Sequence, residues 1–455
     1  MNYVQITPAD RKAMLATIGA PSIDTLFSPI PEGVRYDHEL EIPEGISELE
    51  LQRELSALAA KNQSATAQVC FMGGGSYDHF IPAFIDQLIS RGEFLTAYTP
   101  YQAEASQGSL QAFFEFQSQI ARLTGLDIAN ASLYEGSTAA AEGMLLALNH
   151  TARKRVLVAS TVHPHTRQVL RTYTSDLPVE IVEIPAGPGG VITPDAVKAA
   201  AGDQTACLIV QSPNVMGLVE DWASLFAAAR SAPVVGPAPL AIAVFNPTSL
   251  GMLKTPGECG ADIAAGEGQP LGTPMQFGGP YLGLFAAKKE FLRRLPGRLV
   301  GQTFDKQGRT GYCLTLQTRE QHIKKDKATS NICTNQGLFA LRATMYMTAI
   351  GPTGMKTIAE QCYHKAHYLA KKIHDLKDYD LKYPHTPFFN EFVVKCARPA
   401  AEVAERCARH GYLAGVPLGD DRMNKIGGAN DLLVAVTEKR TRAEMDRLVE
   451  LLAAG

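Results

Sequence analysis

Two short segments carry groups that could bind an anion or a flat ligand. In "LYEGSTAAAEGMLLAL", Gly136, Ser137 and Thr138 precede an alanine-rich helix. Because free N–H groups and the dipole at a helix N-terminus attract anions, this turn could hold a phosphate. Ser137 or Thr138 could equally serve only as the helix cap. His163, just past a predicted strand in "ASTVHPHTRQVL", could stack its ring on a flat ligand or could be purely structural.

A third segment, residues 260–287, is rich in glycine and contains no lysine; none lies between Lys254 and Lys288. Glycines let the backbone come close to a ligand or to a neighbouring chain. We therefore expect something to lie against a loop that has no obvious reactive residue of its own.

No metal site is predicted. The eight cysteines are scattered without a C-x-x-C pair, which fits a reducing compartment, here taken as the cytoplasm, better than a disulfide framework. His364 and His367 have helical spacing but lack the glutamate of an H-E-x-x-H site.

The composition restricts the class of protein. The 455 residues are 45% hydrophobic with a formal net charge of -3, as in a soluble globular protein of two or three domains. Near-neutral charge argues against nucleic acid as a main partner, and the apolar runs are too short to span a membrane. The first residues show neither signal-peptide nor transit-peptide features.

Three parts of the chain differ in pattern. Residues 1–68 predict a helical and extended arm, in which Ser47 caps a helix with Glu50 three residues on. Residues 69–330 predict an α/β domain with a mostly parallel sheet covered on both faces. Residues 331–455 predict connecting helices, broken around Gly351, and a small α+β domain. The clearest buried strands are predicted within 155–161, 179–185, 206–214 and 240–247.

This order of parts resembles fold-type I enzymes, such as aspartate aminotransferase, which use pyridoxal 5'-phosphate (PLP). In such an enzyme a carboxylate keeps the pyridine nitrogen protonated so that the ring can accept electrons. The strand expected to supply it ends at Asn246, whose amide carries no charge. The Schiff-base lysine is expected near Gln269 and Pro270, and neither can replace it. The turn at 136–138 and His163 would then be vestiges of a phosphate cradle and a ring-stacking residue.

Five long segments point to a family that has both this architecture and these absences. They are "GGGSYDHFIPAFI" (73–85), "LTAYTPYQAEASQGSLQAFFEFQ" (95–117), "NASLYEGSTAAAEGM" (130–144), "GADIAAGEGQPLGTPMQFGGPYLGLFA" (260–286) and "TREQHIKKDKATSNICTNQ" (318–336). In this order they resemble the N-terminal half of the glycine cleavage system P-protein, in the form that is split into two subunits.

The resemblance implies a division of labour. The C-terminal-half subunit would carry the lysine and PLP, while this chain would have no catalytic residue and would help to complete the site. Glycine would lose its carboxylate as CO2, and its aminomethyl group would pass to the lipoyl arm of the H-protein, reducing the arm's disulfide. The chain is expected to be inactive alone as a glycine dehydrogenase, and the family implies a heterotetramer with two copies of each half.

The segment "TAYTPYQAEASQG" supplies the site-completing candidates. Pro100 disfavours helix at Thr99, so the segment is predicted to be extended before a helix that starts near Ser109. Its rigid rings and polar side chains could reach the partner's site, or could form only an interface loop. The candidates are Tyr98, Tyr101, Gln102, Glu104 and Gln107.

Other interpretations stay open. The mixed run from Arg319 to Lys327 could be a solvated face or a basic rim that receives an acidic lipoyl carrier. A self-sufficient PLP enzyme would have to use Lys254 or Lys288, which flank the glycine-rich loop. A dinucleotide site at "GEGQPLG" is disfavoured because the predicted strand "PYLGLFAA" follows it where a helix is required. A purely structural scaffold subunit is also compatible with the sequence.

Overall fold

The computed structural model describes residues 5–36 and 38–454. By their contacts the residues divide into one compact unit that ends at Asn62 and a second that begins at Gln63. Within the described residues, no helix is long and apolar enough to cross a membrane.

The first unit contains two capped helices, α1 (Pro8–Ile18) and α2 (Glu48–Ala59). Thr7 and Asp10 form a capping box at α1, and Ser47 and Glu50 form the predicted one at α2. In each box the hydroxyl accepts the N–H of the acid, and the acid accepts the N–H of the cap, so two otherwise unpaired donors are satisfied. The predicted start of α2 is therefore confirmed.

The second unit holds all the strands of the described residues and the remaining helices. The helices are α3 (Ala83–Ile89), α4 (Gly92–Leu95), α5 (Gln107–Thr124), α6 (Gly136–Thr151), α7 (Pro164–Tyr173), α8 (Pro194–Ala200), α9 (Trp222–Arg230), α10 (Gln321–Lys324), α11 (Gly337–His374), α12 (Ala400–Ala408) and α13 (Arg442–Ala453). The strands are β1 (Val69–Cys70), β2 (Ile128–Ala129), β3 (Arg155–Ala159), β4 (Glu180–Ile184), β5 (Thr205–Ser212), β6 (Leu240–Phe245), β7 (Ile263–Glu267), β8 (Gly283–Ala287), β9 (Leu299–Phe304), β10 (Thr310–Thr315), β11 (Tyr379–Leu381), β12 (Glu391–Cys396), β13 (Tyr412–Leu413), β14 (Val416–Pro417) and β15 (Asp431–Ala435).

A seven-stranded sheet forms the centre, with strand order β2-β8-β7-β6-β5-β3-β4. The strands from β7 to β4 run parallel, and only β8 and β2 are antiparallel to their neighbours. Every residue of β6 is buried, as expected of parallel strands that are covered on both faces. The four predicted buried runs form β3, β4, β5 and β6, so the prediction of a mostly parallel sheet is confirmed.

A smaller antiparallel sheet, ordered β11-β12-β15-β14, packs with the second half of α11, α12 and α13 around its own apolar core. Helix α11 is interrupted at Gly351, whose φ of 61° and ψ of -178° are not helical, and Pro352 begins the next helical stretch. The predicted break at this glycine is therefore confirmed. The domain boundaries at residues 69 and 331 remain a prediction.

A close approach of backbone joins the loop after β5 to the small sheet. Gly217 has a φ of +82°, and a Cβ placed there would lie 2.0 Å from the carbonyl oxygen of Glu391 in β12. Its own carbonyl accepts the N–H of Phe389 at 3.1 Å. Glycine combines this positive φ with the absence of a Cβ, so Gly217 allows the loop after β5 to pack against the small sheet.

Candidate functional site

The carboxyl ends of β3, β5, β6 and β7 meet at a cavity of about 400 Å³, here called the sheet-end pocket. Ligands of open α/β sheets bind at this edge, where the loops that follow parallel strands converge. The pocket brings together most of the residues that the sequence placed around a cofactor. Its lining includes Gly136, Ser137, His163, Asn246 and Pro270, together with Glu267 and the loop 73–77.

The chain's own acids already occupy the N-terminus of α6. The N–H of Gly136 donates to Oε2 of Glu267 at 3.0 Å, and the N–H of Thr138 donates to Oε1 of Glu135 at 2.8 Å. Ser137 shares a hydrogen bond with the hydroxyl of Thr166. Glu135 is thus the N-cap, rather than Ser137 or Thr138. Two carboxylates sit where a phosphate would have to bind.

Glu267 is the last residue of β7, and its carboxylate accepts hydrogen bonds from the backbone of the same chain. Besides the N–H of Gly136, it accepts the N–H groups of Gln269 and Leu282 at 2.9 and 3.0 Å. Burial raises the pKa of this carboxyl to about 7, although the three donors act in the opposite direction. The acid therefore works as a structural clamp on the glycine-rich loop.

Gln269 is fixed in the interior and is 1% exposed. Its side chain accepts the N–H of Tyr77 at 2.9 Å and donates to the carbonyl oxygens of Tyr77 and Thr273 at 3.0 and 2.7 Å. The position predicted to lack the lysine is thus used to hold the loop 73–77 in place. Pro270, the next residue, lines the pocket.

His163 is the N-cap of α7 and is held in a neutral form. Its Nδ1 accepts the N–H of His165 at 3.2 Å, which leaves Nε2 to donate to the carbonyl of Gly74 at 3.0 Å. Burial, with a smaller contribution from His165, lowers the pKa of His163 to about 4. A neutral ring in the wall of the pocket could stack on a flat ligand, and that role remains a prediction.

Asn246 follows β6 at the edge of the same pocket. Its Oδ1 accepts the N–H of Thr248 at 2.9 Å, so it caps the short helical turn that begins at Pro247.

The sheet-end pocket does not fit PLP. Among the described residues no lysine lines it, Asn246 supplies no negative charge, and the N–H groups of Gly136 and Thr138 already donate to Glu267 and Glu135. Lys288 is paired with Asp262 at 2.5 Å, and neither Lys254 nor Lys288 lines the pocket.

The predicted site-completing residues lie elsewhere, in the segment that leads into α5 and at the start of that helix. Tyr98 is 83% exposed and Tyr101 is 59% exposed, and Gln102 and Glu104 are exposed as well. Gln107 is engaged inside the chain, since its side chain exchanges two hydrogen bonds with the backbone of Tyr312 in β10. The segment has no regular structure over residues 97–102 and forms a turn over residues 103–105, so it is not extended throughout as predicted; α5 begins at Gln107, two residues before the predicted start.

Beside these tyrosines lies a second cavity of about 190 Å³, here called the arginine pocket. Arg298 lines it and is 4% exposed. Its Nη1 donates to Oδ1 of Asn335 at 3.0 Å, and its guanidinium lies 5.7 Å from the ring centre of Tyr101. Arg298 could not be recognised from the sequence, because a single arginine in "PGRLVG" belongs to no motif. Glu267 was also missed, although an acid at the end of a buried strand signals a site at the sheet edge.

A separate buried cluster has side chains that metals can bind. Ligand atoms of His79, Cys362 and Glu438 lie within 4.8 Å of one another. Glu438 already accepts from Nδ1 of His79 at 2.7 Å and from the N–H of Phe80 at 2.6 Å, and the pKa of the thiol is raised well above its usual value by burial. Internal hydrogen bonds therefore account for this cluster, and the prediction that the chain has no metal site stays a prediction.

The mixed-charge run 319–327 is divided by the fold. Arg319 donates to the carbonyl of Leu295 and Glu320 is buried. Lys324, Lys325 and Lys327 are exposed. Only this part could form a basic rim.

Comparison with known proteins gives long and consistent matches. The family model described as "Glycine cleavage system P-protein" matches residues 1–452. A protein of Thermomicrobium roseum named "Probable glycine dehydrogenase (decarboxylating) subunit 1" is 49% identical over 448 residues, covering 98% of both chains. Its namesake from Geobacillus kaustophilus is 48% identical over 461 residues, covering 100% of this chain and 99% of the relative.

Comparison with solved structures gives the same result as comparison with sequences. A crystal structure of glycine decarboxylase (P-protein) of the glycine cleavage system, in inhibitor-bound form, superposes with a TM-score of 0.89 at 41% identity and covers all of both chains. A C-DES lyase mutant with glycine covalently linked to its PLP cofactor has a TM-score of 0.61 at 15% identity, covering 86% of this chain and 98% of that one. At that identity the second likeness shows the fold alone, and it confirms the predicted fold-type I architecture.

Proposed function

The chain belongs to the glycine cleavage system P-protein family, and we propose that it is the subunit of glycine decarboxylase that lacks the Schiff-base lysine and completes the active site of a partner. The partner is the C-terminal-half subunit, which holds the lysine and PLP. Together the two release CO2 from glycine and pass the aminomethyl group to the lipoyl arm of the H-protein. Two copies of each subunit form the assembly. The eight free cysteines support a cytoplasmic location.

The occupied turn at the N-terminus of α6, beside a sheet-end pocket in which no described lining residue is a lysine, is the observation that carries this proposal. A self-sufficient PLP enzyme needs a lysine and a free phosphate cradle, whereas here Gln269 takes the lysine's place and Glu267 fills the cradle. When bound in the partner, PLP supplies the electron sink for decarboxylation. The present chain then contributes binding and positioning.

The exposed tyrosine stretch supports a direct contribution to the partner's site. Tyr98 and Tyr101 expose large rings and hydroxyl groups beside the arginine pocket. Large rings with few rotatable bonds lose little entropy when they are buried against a partner. In the assembly they line the substrate's approach, help to exclude water and donate hydrogen bonds to its polar groups.

Reconstitution tests the proposal. The chain is co-expressed with the C-terminal-half subunit, and CO2 release from labelled glycine is measured with the chain, without it, and with Tyr98→Phe and Tyr101→Phe variants. We expect no release without the chain and a reduced rate for at least one variant. Tyr363→Phe on α11 is the matched control, because it removes a hydroxyl outside the tyrosine stretch and should leave the rate unchanged.

Each result that contradicts these expectations would support a different function for the chain. Unchanged rates in both tyrosine variants would favour a purely structural scaffold. A borohydride-fixed pyridoxyl-lysine adduct on the chain alone would instead establish a self-sufficient enzyme.

A further inference from the structure

The arginine pocket carries a buried positive charge that no acid neutralises. Arg298 is 4% exposed, and among residues 5–36 and 38–454 it forms no ion pair with a carboxylate. Its Nη1 reaches the neutral amide of Asn335, and its Nε has no hydrogen-bond partner in the described chain. A buried guanidinium normally pairs with an anion, because removing an unpaired charge from water is strongly unfavourable.

None of the described residues that line the cavity is acidic. Polar groups come from Thr99, Ser109, Thr334 and Asn335, and the rest of the wall is apolar or aromatic. Apolar walls keep the local dielectric low, so an anion beside Arg298 would be held more strongly than at the surface.

Two long helices begin at the same cavity. Helix α5 has 18 residues, and the first stretch of α11 runs from Gly337 to the interruption at Gly351; neither N-terminus has a side-chain cap. Ser109 in the first turn of α5 and Gly337 in the first turn of α11 both line the pocket. The positive ends of two helix dipoles therefore add to the charge of Arg298.

From this convergence we infer that the arginine pocket is a binding site for the anionic oxygen group of a small ligand, a carboxylate or a phosphate, with Arg298 as the charged contact. The volume of about 190 Å³ is several times the ~30 Å³ that one water occupies in the liquid. The fork of the guanidinium suits two oxygens of either group. This assignment rests on the proposed function insofar as the anion belongs to a substrate or cofactor of the assembled enzyme.

A change of charge at the mouth of the pocket tests the inference without disturbing the core. Thr334 lines the pocket, is exposed, and makes no side-chain hydrogen bond in the described chain. Thr334→Glu places a carboxylate beside Arg298, and Thr334→Gln adds nearly the same volume without the charge. Calorimetric titration with inorganic phosphate, acetate or glycine is carried out on the full chain and on the co-expressed complex.

We expect phosphate or at least one of the two carboxylate-bearing ligands to bind the parent and the Thr334→Gln variant, and Thr334→Glu to weaken that binding by about tenfold or more. Arg298→Gln should have the same effect, with Arg293→Gln on the neighbouring exposed stretch as its control. Preference for phosphate assigns the site to a phosphorylated ligand, and preference for acetate and glycine assigns it to a carboxylate.

Absence of anion binding in both the chain and the complex would overturn the inference, as would binding that Thr334→Glu leaves unchanged. These outcomes can be distinguished from a failure of the proposed function. Tyrosine variants that slow decarboxylation, in a complex that binds no anion, would sustain the proposed function and refute the anion site. Binding to the chain alone that Thr334→Glu abolishes would support the site even if the tyrosine variants were fully active.

Discussion

Glu391 should make the stability of the protein depend on pH in a way that one substitution removes. Its carboxylate, 3% exposed, accepts the N–H of Gly74 at 2.6 Å and the hydroxyl of Tyr77 at 2.7 Å. Burial raises the pKa of this carboxyl from 4.5 to about 7. Glu391 therefore fixes one wall of the sheet-end pocket but is unfavourable in its charged form.

The sign and the size of this pH dependence follow from the difference in proton binding between the folded and the unfolded state. Between about pH 4.5 and about pH 7 the folded state binds a proton that the unfolded state has lost, so stability falls as the pH rises through this window. The penalty is absent below about pH 4.5 and complete above about pH 7. A shift of this size corresponds to roughly 3 kcal/mol.

Glu391→Gln mimics the protonated acid. Its amide oxygen can still accept the N–H of Gly74, and its NH2 group can donate to the hydroxyl of Tyr77, which then acts as acceptor. We expect the variant to match the parent near about pH 4.5 and to exceed its stability by about 3 kcal/mol at about pH 8.

Urea unfolding of both proteins across this range measures the difference. Other buried acids with raised pKa values, such as Glu142, are present in both proteins. Their contribution therefore cancels in the difference between the two free energies of unfolding. Hydrogen exchange at the amide of Gly74 supplies a local readout of the same bond. Tyr77→Phe is a second control: it removes a bond that favours the carboxylate and should steepen the loss of stability with pH. A difference between Glu391→Gln and parent that stays constant with pH would refute the reasoning.

Three further predictions concern the loop, the inter-sheet contact and the basic segment. Gln269→Lys should yield no pyridoxyl-lysine at that position after borohydride reduction in the presence of PLP, since acids still fill the phosphate cradle; a labelled peptide detected by mass spectrometry would contradict this. Gly217→Ala should lower the free energy of unfolding by about 2–4 kcal/mol in urea, because its Cβ would lie 2.0 Å from a carbonyl oxygen of β12. Gly236→Ala, also at positive φ but with open space around it, should cost only about 1–2 kcal/mol. Reversing the charges of Lys324 and Lys325 should weaken the salt dependence of the reaction with the H-protein if they attract an acidic carrier; an unchanged salt profile would leave them a solvated face.

The sequence by itself determined the fold class and the missing chemistry. Apolar runs at 155–161 and 240–247 predicted buried parallel strands because such strands are covered on both faces. The resemblance to fold-type I PLP enzymes indicated where a lysine and an acid were expected, so their absence near Gln269 and at Asn246 could be recognised before any contact was known. Capping patterns are equally local, which is why Ser47 and Glu50 were identified correctly.

Only the tertiary structure decided what fills these positions. Glu267 reaches the N–H of Gly136 across 131 residues, and Gln107 bonds Tyr312 across 205. No local pattern predicts such pairs, because each depends on where two distant strands or helices come together. The same limit applies to Arg298: its role depends on having no acidic partner among the described residues and on two helix starts that only the fold brings to one cavity.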